Sequence, residues 1–256
     1  MNSLFPRAML ACLVCLFGAI DGRGGPGDEM EIARRITAAQ VPIEKLPASH
    51  QKRVTDLLDQ SSSIYSRGSS AAFPCAPAVY KWLVDNPHWG FRAWKALGSK
   101  CATLERNADG TFVGKDTTGS EFKLELLYNE AGRRIWYAEG MARPTPISTP
   151  LQVRAVLLLR FQEVTGVDGR VGVRQRAELF TQVDTKASSI LGKLWGMSAE
   201  SLNRKAVEQV DVFFSGMSWY ISEHPDWAKT HLQPTKASQP EEARQLEELL
   251  RGLGAR

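Results

Sequence analysis

The chain has 256 residues, 43% of them hydrophobic and 23% charged, with a formal net charge of +4. That length suffices for one large domain or two small ones with a sizeable core, and the composition is that of a globular protein. No block of five or more like charges exists, so the mild basicity supplies no nucleic-acid arm and nucleic acid is not an expected partner.

The chain opens with Arg7 and then Ala8–Ile20, "AMLACLVCLFGAI", an apolar run of signal-peptide length, too short to span a bilayer comfortably. A polar, glycine-rich exit follows at Asp21–Gly27. Residues 1–24 therefore read as a signal peptide cut after Gly22 or Gly24, and the protein as exported, periplasmic or extracellular. The alternatives are an uncleaved N-terminus tethering it to the membrane, its only expected membrane contact, or a lipid on Cys12. Removal of residues 1–24 leaves Cys75 and Cys101. In an oxidising compartment they are a candidate disulfide, worth about 3 kcal/mol by loop entropy. A straight helix between them would hold them about 30 Å apart, so only a chain that doubles back could join them. The alternative is two buried free thiols.

Residues 25–61 read as a helical leader. Glu29–Ala39 is one candidate helix, Pro42 and Pro47 interrupt it, and Ser49–Gln60 is another, capped by Ser49 and carrying Val54, Leu57 and Leu58 on one face. Residues 61–72 form a loop with a short strand at Ser63–Ser66. In "APAVYKWLVDNPHWGFRAW" (76–94), Pro77 suits a first helical turn and Pro87 forbids a continuous helix. Asn86 is the expected cap of a second helix that Gly98 ends, giving a V of two short helices whose aromatic residues pack.

From Cys101 the apolar period changes from 3.6 to 2. Strands are expected at Cys101–Arg106, Thr111–Asp116, Glu121–Asn129, Arg133–Met141, Gln152–Val164 and Val171–Val183. Phe122, Leu124, Leu126 and Tyr128 share one face, as do Val153, Ala155, Leu157, Leu159 and Phe161. Opposite them stand Arg154, Arg160, Arg174 and Arg176, a basic face able to meet an anionic surface unless Glu178 and Glu125 pair with it across strands. A helix capped at Asp184 or Thr185 follows. Ser201–Glu223 carries the stripe Leu202, Ala206, Val210, Phe213, Met217, Tyr220 and Ile221. Residues 233–256 are a linker and an amphipathic tail that docks or frays.

The fold class is α+β: an antiparallel, six- to seven-stranded curved sheet gripping a long C-terminal helix, with the two-helix V before the meander, over residues 62–232. This order, with "CAPAVYKWLVDNPHW" (75–89) as its opening, resembles the helix-grip fold of the START and polyketide-cyclase-like superfamily. The resemblance implies an apolar ligand held between sheet and helix and carries over no functional residue. The strand and helix patterns point to Tyr137, Glu139, Gln175, Phe213 and Met217 as the ligand-lining set, with Glu139 and Gln175 its polar groups if they face inward.

The four histidines are scattered and form no zinc-spacing motif, so no metal and no cofactor is expected. "SGMSW" at 215–219 is no nucleophile elbow. The leading expectation is an exported, non-catalytic binder of a hydrophobic or lipid-like molecule. Its rivals are a cell-envelope interaction protein with a filled core, docking a protein partner through leader and tail, and a cyclase- or hydrolase-like enzyme.

Overall fold

The computed structural model describes residues 27–60, 63–143, 150–183, 199–233 and 240–253. The signal-peptide reading, the helix expected after Asp184 and part of the linker before the tail lie outside these residues. The described chain is α+β. In order it forms α1 (Gly27–Ala39), a single 3-10 turn (Ile43–Lys45), α2 (Ala48–Asp59), β1 (Ile64–Arg67), β2 (Ala71–Pro74), α3 (Pro77–Asp85), α4 (Pro87–Ala96), β3 (Thr103–Arg106) and β4 (Phe112–Lys115). Then come β5 (Glu121–Glu130), β6 (Arg133–Ala142), β7 (Leu151–Thr165), β8 (Val171–Val183), α5 (Ala199–Glu223), α6 (Pro225–His231) and α7 (Pro240–Leu253).

All eight strands form one antiparallel sheet in the order β1-β8-β7-β6-β5-β4-β3, with β2 also paired to β8 beyond β1. The expected short strand before the V is thus two strands, broken at Gly68. The meander turns where expected. Gly132 has φ +72 in the β5–β6 turn, and a Cβ there would also meet the Phe161 carbonyl oxygen at 2.7 Å, so only glycine fits.

The concave face of the sheet packs on α3, α4 and α5. Pro77 and Pro87 start α3 and α4, and Gly98, at φ +86, follows the second. Asn86 does not cap α4 with its side chain. Its Nδ2 donates to the Trp82 carbonyl at 2.9 Å and so finishes α3, while its Oδ1 accepts from Arg106. Ser49 likewise is no cap: α2 begins at Ala48 and Ser49 Oγ lies 3.0 Å from His50 Nδ1.

The other face carries a second core. Ile135, Tyr137, Val156, Leu158 and Phe180 are buried there against Val54, Leu57 and Leu58 of α2. A bulge between Leu126 and Tyr128 shifts the register of β5, so Tyr128, expected beside Leu126 on the concave face, joins this outer core. α1 is fastened by a buried carboxylate. Glu178 Oε1 accepts from Thr37 Oγ1 at 2.7 Å and Tyr65 Oη at 2.9 Å, and Arg160 pairs with its other oxygen at 2.9 Å. The expected cross-strand pairing of Glu178 with arginine is therefore present. Glu125 instead pairs with His50 and Lys123.

The tail docks. Leu246 and Leu250 are buried, and Glu242 at the start of α7 reaches the V. Its Oε2 accepts from Trp89 Nε1 at 2.9 Å and stands 2.9 Å from His88 Nε2, while its Oε1 accepts from Arg106. Burial alone would raise this carboxyl. The contacts with His88 and Trp89 and the charge of Arg106 outweigh it and hold the group at about 2.

Candidate functional site

Strand pairing sets rows of side chains across the concave face. One row is Leu126, Trp136, Leu157 and Leu179; the next is Leu124, Ala138, Ala155 and Thr181; the third is Phe122, Gly140, Val153 and Val183. Glycines flank Phe122. A Cβ on Gly114 would collide with its ring, and one on Gly140 would strike the Glu121 carbonyl and come within 2.6 Å of Phe122 Cα. The ring therefore lies down against β4, possible only beside residues without side chains.

The filling of this face is uneven. At one end Phe213 of α5 packs on Phe91 at 4.9 Å, Trp94 at 5.3 Å and Phe214 at 5.0 Å between ring centroids. Its Cζ lies 2.6 Å from where a Cβ on Gly90 would stand, so α4 and α5 meet without a gap there. Met217 and Ile221 continue this packing and are buried. At the other end Phe122, Leu124, Leu126, Ala155 and Leu157 on the sheet, with Ala206 and Val210 on α5, are only partly buried. Along α5, Phe213, Met217 and Ile221 are buried, whereas Leu202, Ala206 and Val210 are half-covered; Val207 beside them is buried and Tyr220 is half-covered. The half-covered rows form an apolar floor facing the first half of the long helix.

The polar groups at its margin are occupied. Asn203 is buried, accepts from Thr181 Oγ1 at 2.6 Å and donates to the carbonyls of Ile64 and Leu179, which pins α5 to the sheet. Farther along, Tyr80 Oη donates to Gln175 Oε1 at 2.8 Å, and Gln175 Nε2 donates to the Asp211 carbonyl at 2.8 Å and to its Oδ1 at 3.2 Å. Burial pushes the Asp211 carboxyl up to about 7, against the lowering pull of Ala177 and Gln175. Burial also raises the Tyr80 hydroxyl well above its ordinary range. These three groups, of which Tyr80 and Asp211 titrate, are the polar chain at this margin. They satisfy one another in a closed chain, which suits a structural clamp better than proton transfer.

The five side chains expected to share a pocket are divided by the sheet. Gln175, Phe213 and Met217 face the concave side, and Tyr137 belongs to the outer core. Tyr137 Oη donates to Glu139 Oε2 at 3.1 Å on that outer side, and Arg53 of α2 approaches the same oxygen. Glu139 and Tyr137 share parity as expected, but it is the parity of Ile135, which faces α2. Gln175 does point inward, with both ends of its amide held by the protein. The rows Phe122–Val153 and Leu124–Ala155 contain the half-covered residues that the expected set omitted. Their regular alternation was visible, but their degree of cover depends on where α5 lies.

Cys75 and Cys101 are not joined. Both are buried thiols outside any disulfide, Cys75 facing the backbone of Val173 and Cys101 Sγ lying 3.8 Å from the Phe91 carbonyl. α3 and α4 intervene between them, and each thiol has its own niche in the concave core. Burial raises the Cys75 thiol to about 12, against a lowering hydrogen bond from Val173.

A separate open groove of about 680 Å³ runs between α1 and α2, lined in part by Glu31, Arg34, Ala38, Ile43 and Leu58. Its central cation is occupied, because Arg34 Nη2 donates to the carbonyls of Leu58 at 2.7 Å and Gln60 at 2.9 Å. Among the described residues no three metal-ligating side chains converge, and no helix is long and apolar enough to cross a membrane.

No family model matches the chain, and no curated protein matches it. Among solved structures, a conserved protein from Geobacillus kaustophilus is similar with a TM-score of 0.41 and 12% identity, over 63% of this chain and 97% of that one. The protein XoxI from Bacillus cereus is similar with a TM-score of 0.31 and 14% identity, over 57% of this chain and 94% of that one. Norcoclaurine synthase from Thalictrum flavum is similar with a TM-score of 0.31 and 11% identity, over 77% of this chain and 99% of that one.

Proposed function

We propose that the protein is an exported, non-catalytic binder of a hydrophobic or lipid-like molecule, built on a helix-grip architecture. The ligand lies on the concave face, against the rows of Phe122, Leu124, Ala155 and Leu157 and beneath Ala206 and Val210. Phe213 and Met217 form the closed end against which it stops. Tyr137 and Glu139, across the sheet, take no part.

What supports this reading is the half-covered apolar floor beside a fully packed aromatic end. Apolar side chains turned inward yet incompletely covered lose burial energy of about 25 cal/mol per Å² of exposed surface, and an apolar ligand would recover it. The occupied polar groups at the margin offer a ligand few specific bonds, so shape and apolar area govern selection.

The test is titration of the purified protein with N-phenyl-1-naphthylamine, read by fluorescence, followed by displacement with palmitate. Saturable binding is expected. It should be abolished by Ala155→Trp, which fills the floor, and by Leu157→Glu, while the circular dichroism spectrum stays native. A folded wild-type protein with no saturable signal, and no bound mass by native mass spectrometry, overturns the reading. Export is tested separately: the full chain, expressed in a bacterial host, should reach the exported fraction with a new N-terminus after Gly22 or Gly24.

A further inference from the structure

Outside the concave site, a poorly compensated arrangement among the described residues stands on the outer face. Arg133 of β6, Arg160 of β7 and Arg176 of β8 stand directly opposite one another in a single cross-strand row. Arg174 lies two residues farther along β8 on the same face and is exposed. Neighbouring strands are about 4.8 Å apart, and like charges directly opposed at that spacing destabilise a sheet.

The surrounding protein neutralises little of this charge. Glu178, the carboxylate beneath the row, is shared among Arg160, Arg67, Thr37 and Tyr65. Glu130, beside Arg133, is taken by Lys45 and Tyr128. Arg133 Nη1 donates to the Gln40 carbonyl at 2.9 Å. Among the described residues, Arg174 and Arg176 have no ion-pair partner. Burial, and then the charges of Arg133 and Arg67, push the Arg160 guanidinium down against the pull of Glu178.

Solvation alone does not account for the row. Arg160 Nε and Nη2 and Arg176 Nε are shielded from solvent and have no hydrogen-bond acceptor. A buried donor left unpaired costs about 1–3 kcal/mol. Several such donors, on guanidiniums whose planar forks match tetrahedral oxyanions, form an incomplete coordination shell.

We propose that the row Arg133–Arg160–Arg176, with Arg174 at its open side, is a binding site for a phosphate group. The Arg160 and Arg176 side chains would turn so that their unpaired guanidinium nitrogens donate to the anion's oxygens, and its charge would relieve the opposition along the row. The site lies on the opposite face from the concave floor, so it stands or falls independently of the apolar-ligand reading.

The test uses the folded full chain and follows thermal unfolding with sodium pyrophosphate against sodium chloride at equal ionic strength. Pyrophosphate is expected to raise the melting temperature saturably where chloride does not. Arg176→Gln should weaken this binding by about tenfold, and Arg174→Gln should weaken it less. Lys229→Gln on α6 should leave it unchanged. Without the anion, Arg176→Gln should be at least as stable as wild type, whereas an arginine kept for packing would lose stability on replacement.

A second arm distinguishes free phosphate from a lipid headgroup by flotation with vesicles of phosphatidylcholine alone or with phosphatidylglycerol. Arginine-dependent flotation only with phosphatidylglycerol assigns a headgroup phosphate, and a pyrophosphate response without flotation assigns a soluble one. Equal effects of pyrophosphate and chloride with no flotation, or wild-type responses in both arginine variants, overturn the proposal.

Discussion

On its concave side β8 presents Val173, Gln175, Ala177 and Leu179 to the layer of α3 and α5. On its outer side it presents Arg174, Arg176, Glu178 and Phe180 to a leader that covers only the last two. The concave side links three polar groups into one chain, Tyr80 to Gln175 to Asp211. The outer side covers two apolar rows and one carboxylate and leaves the arginines beyond them unmatched. The same strand thus has one face specified by packing and another on which packing stops partway, and the unmatched rows on each face are where ligands are expected.

The largest expected effects test whether both faces are true core. Phe213→Ala should cost about 3–5 kcal/mol and Leu158→Ala, on the outer face, about 2–5 kcal/mol, each read by urea denaturation. Leu158 is fully buried, and a loss there comparable to that of Phe213 would show that the leader is integral to the fold. A loss below about 1 kcal/mol would mean that the outer layer contributes little.

Next comes the pin that fastens α7. Glu242→Ala leaves the Trp89 indole donor and His88 without their acceptor and should cost about 1–3 kcal/mol at neutral pH. The carboxyl sits at about 2 in the fold against an ordinary 4.5, so its contribution is present above 4.5 and is lost as pH falls toward 2. The difference between wild type and variant, measured from pH 7 to pH 2, should shrink accordingly.

Asp211 should behave in the opposite sense. Its folded value near 7 lies above the ordinary 3.8, so the fold binds a proton more tightly than the unfolded chain does. Stability is therefore highest below about 4 and declines as pH rises to about 7 on account of this group. Asp211→Asn should flatten that decline and leave the protein more stable than wild type at pH 8. A steeper decline in the variant would show that the carboxylate, not the acid, is the form the clamp prefers. The smallest effect concerns the thiols: reductant should not move the melting temperature, and a thiol reagent should label Cys75 and Cys101 only on unfolding.

Much of the fold could be read from residue order. The strand from Val171 to Val183 has the expected limits, and the V follows from Pro77 and Pro87. Those features depend on local chemistry. The outer core was not foreseen, although Ala155–Leu159, "AVLLL", is the continuous apolar run of a strand buried on both faces. Reading it as alternating placed Val156 and Leu158 with the arginines, and the leader then had no surface to cover. Tyr128 was misplaced because a bulge leaves no composition signature in "LELLYNE". Glu242 was unreadable for another reason: its partners His88 and Trp89 lie about 150 residues earlier, and only tertiary closure brings them together. Of the candidate site, Phe213 and Met217 were legible from the stripe of α5, but which rows would remain half-covered was not.

The reach of Glu242 back to His88 and Trp89 also orders events during synthesis. A nascent chain on the ribosome can form the V and the whole meander, yet the niche over those two rings stays unfilled until residues beyond 240 have emerged. Until then the indole nitrogen and the imidazole face water, and the helical layer has not reached its final state.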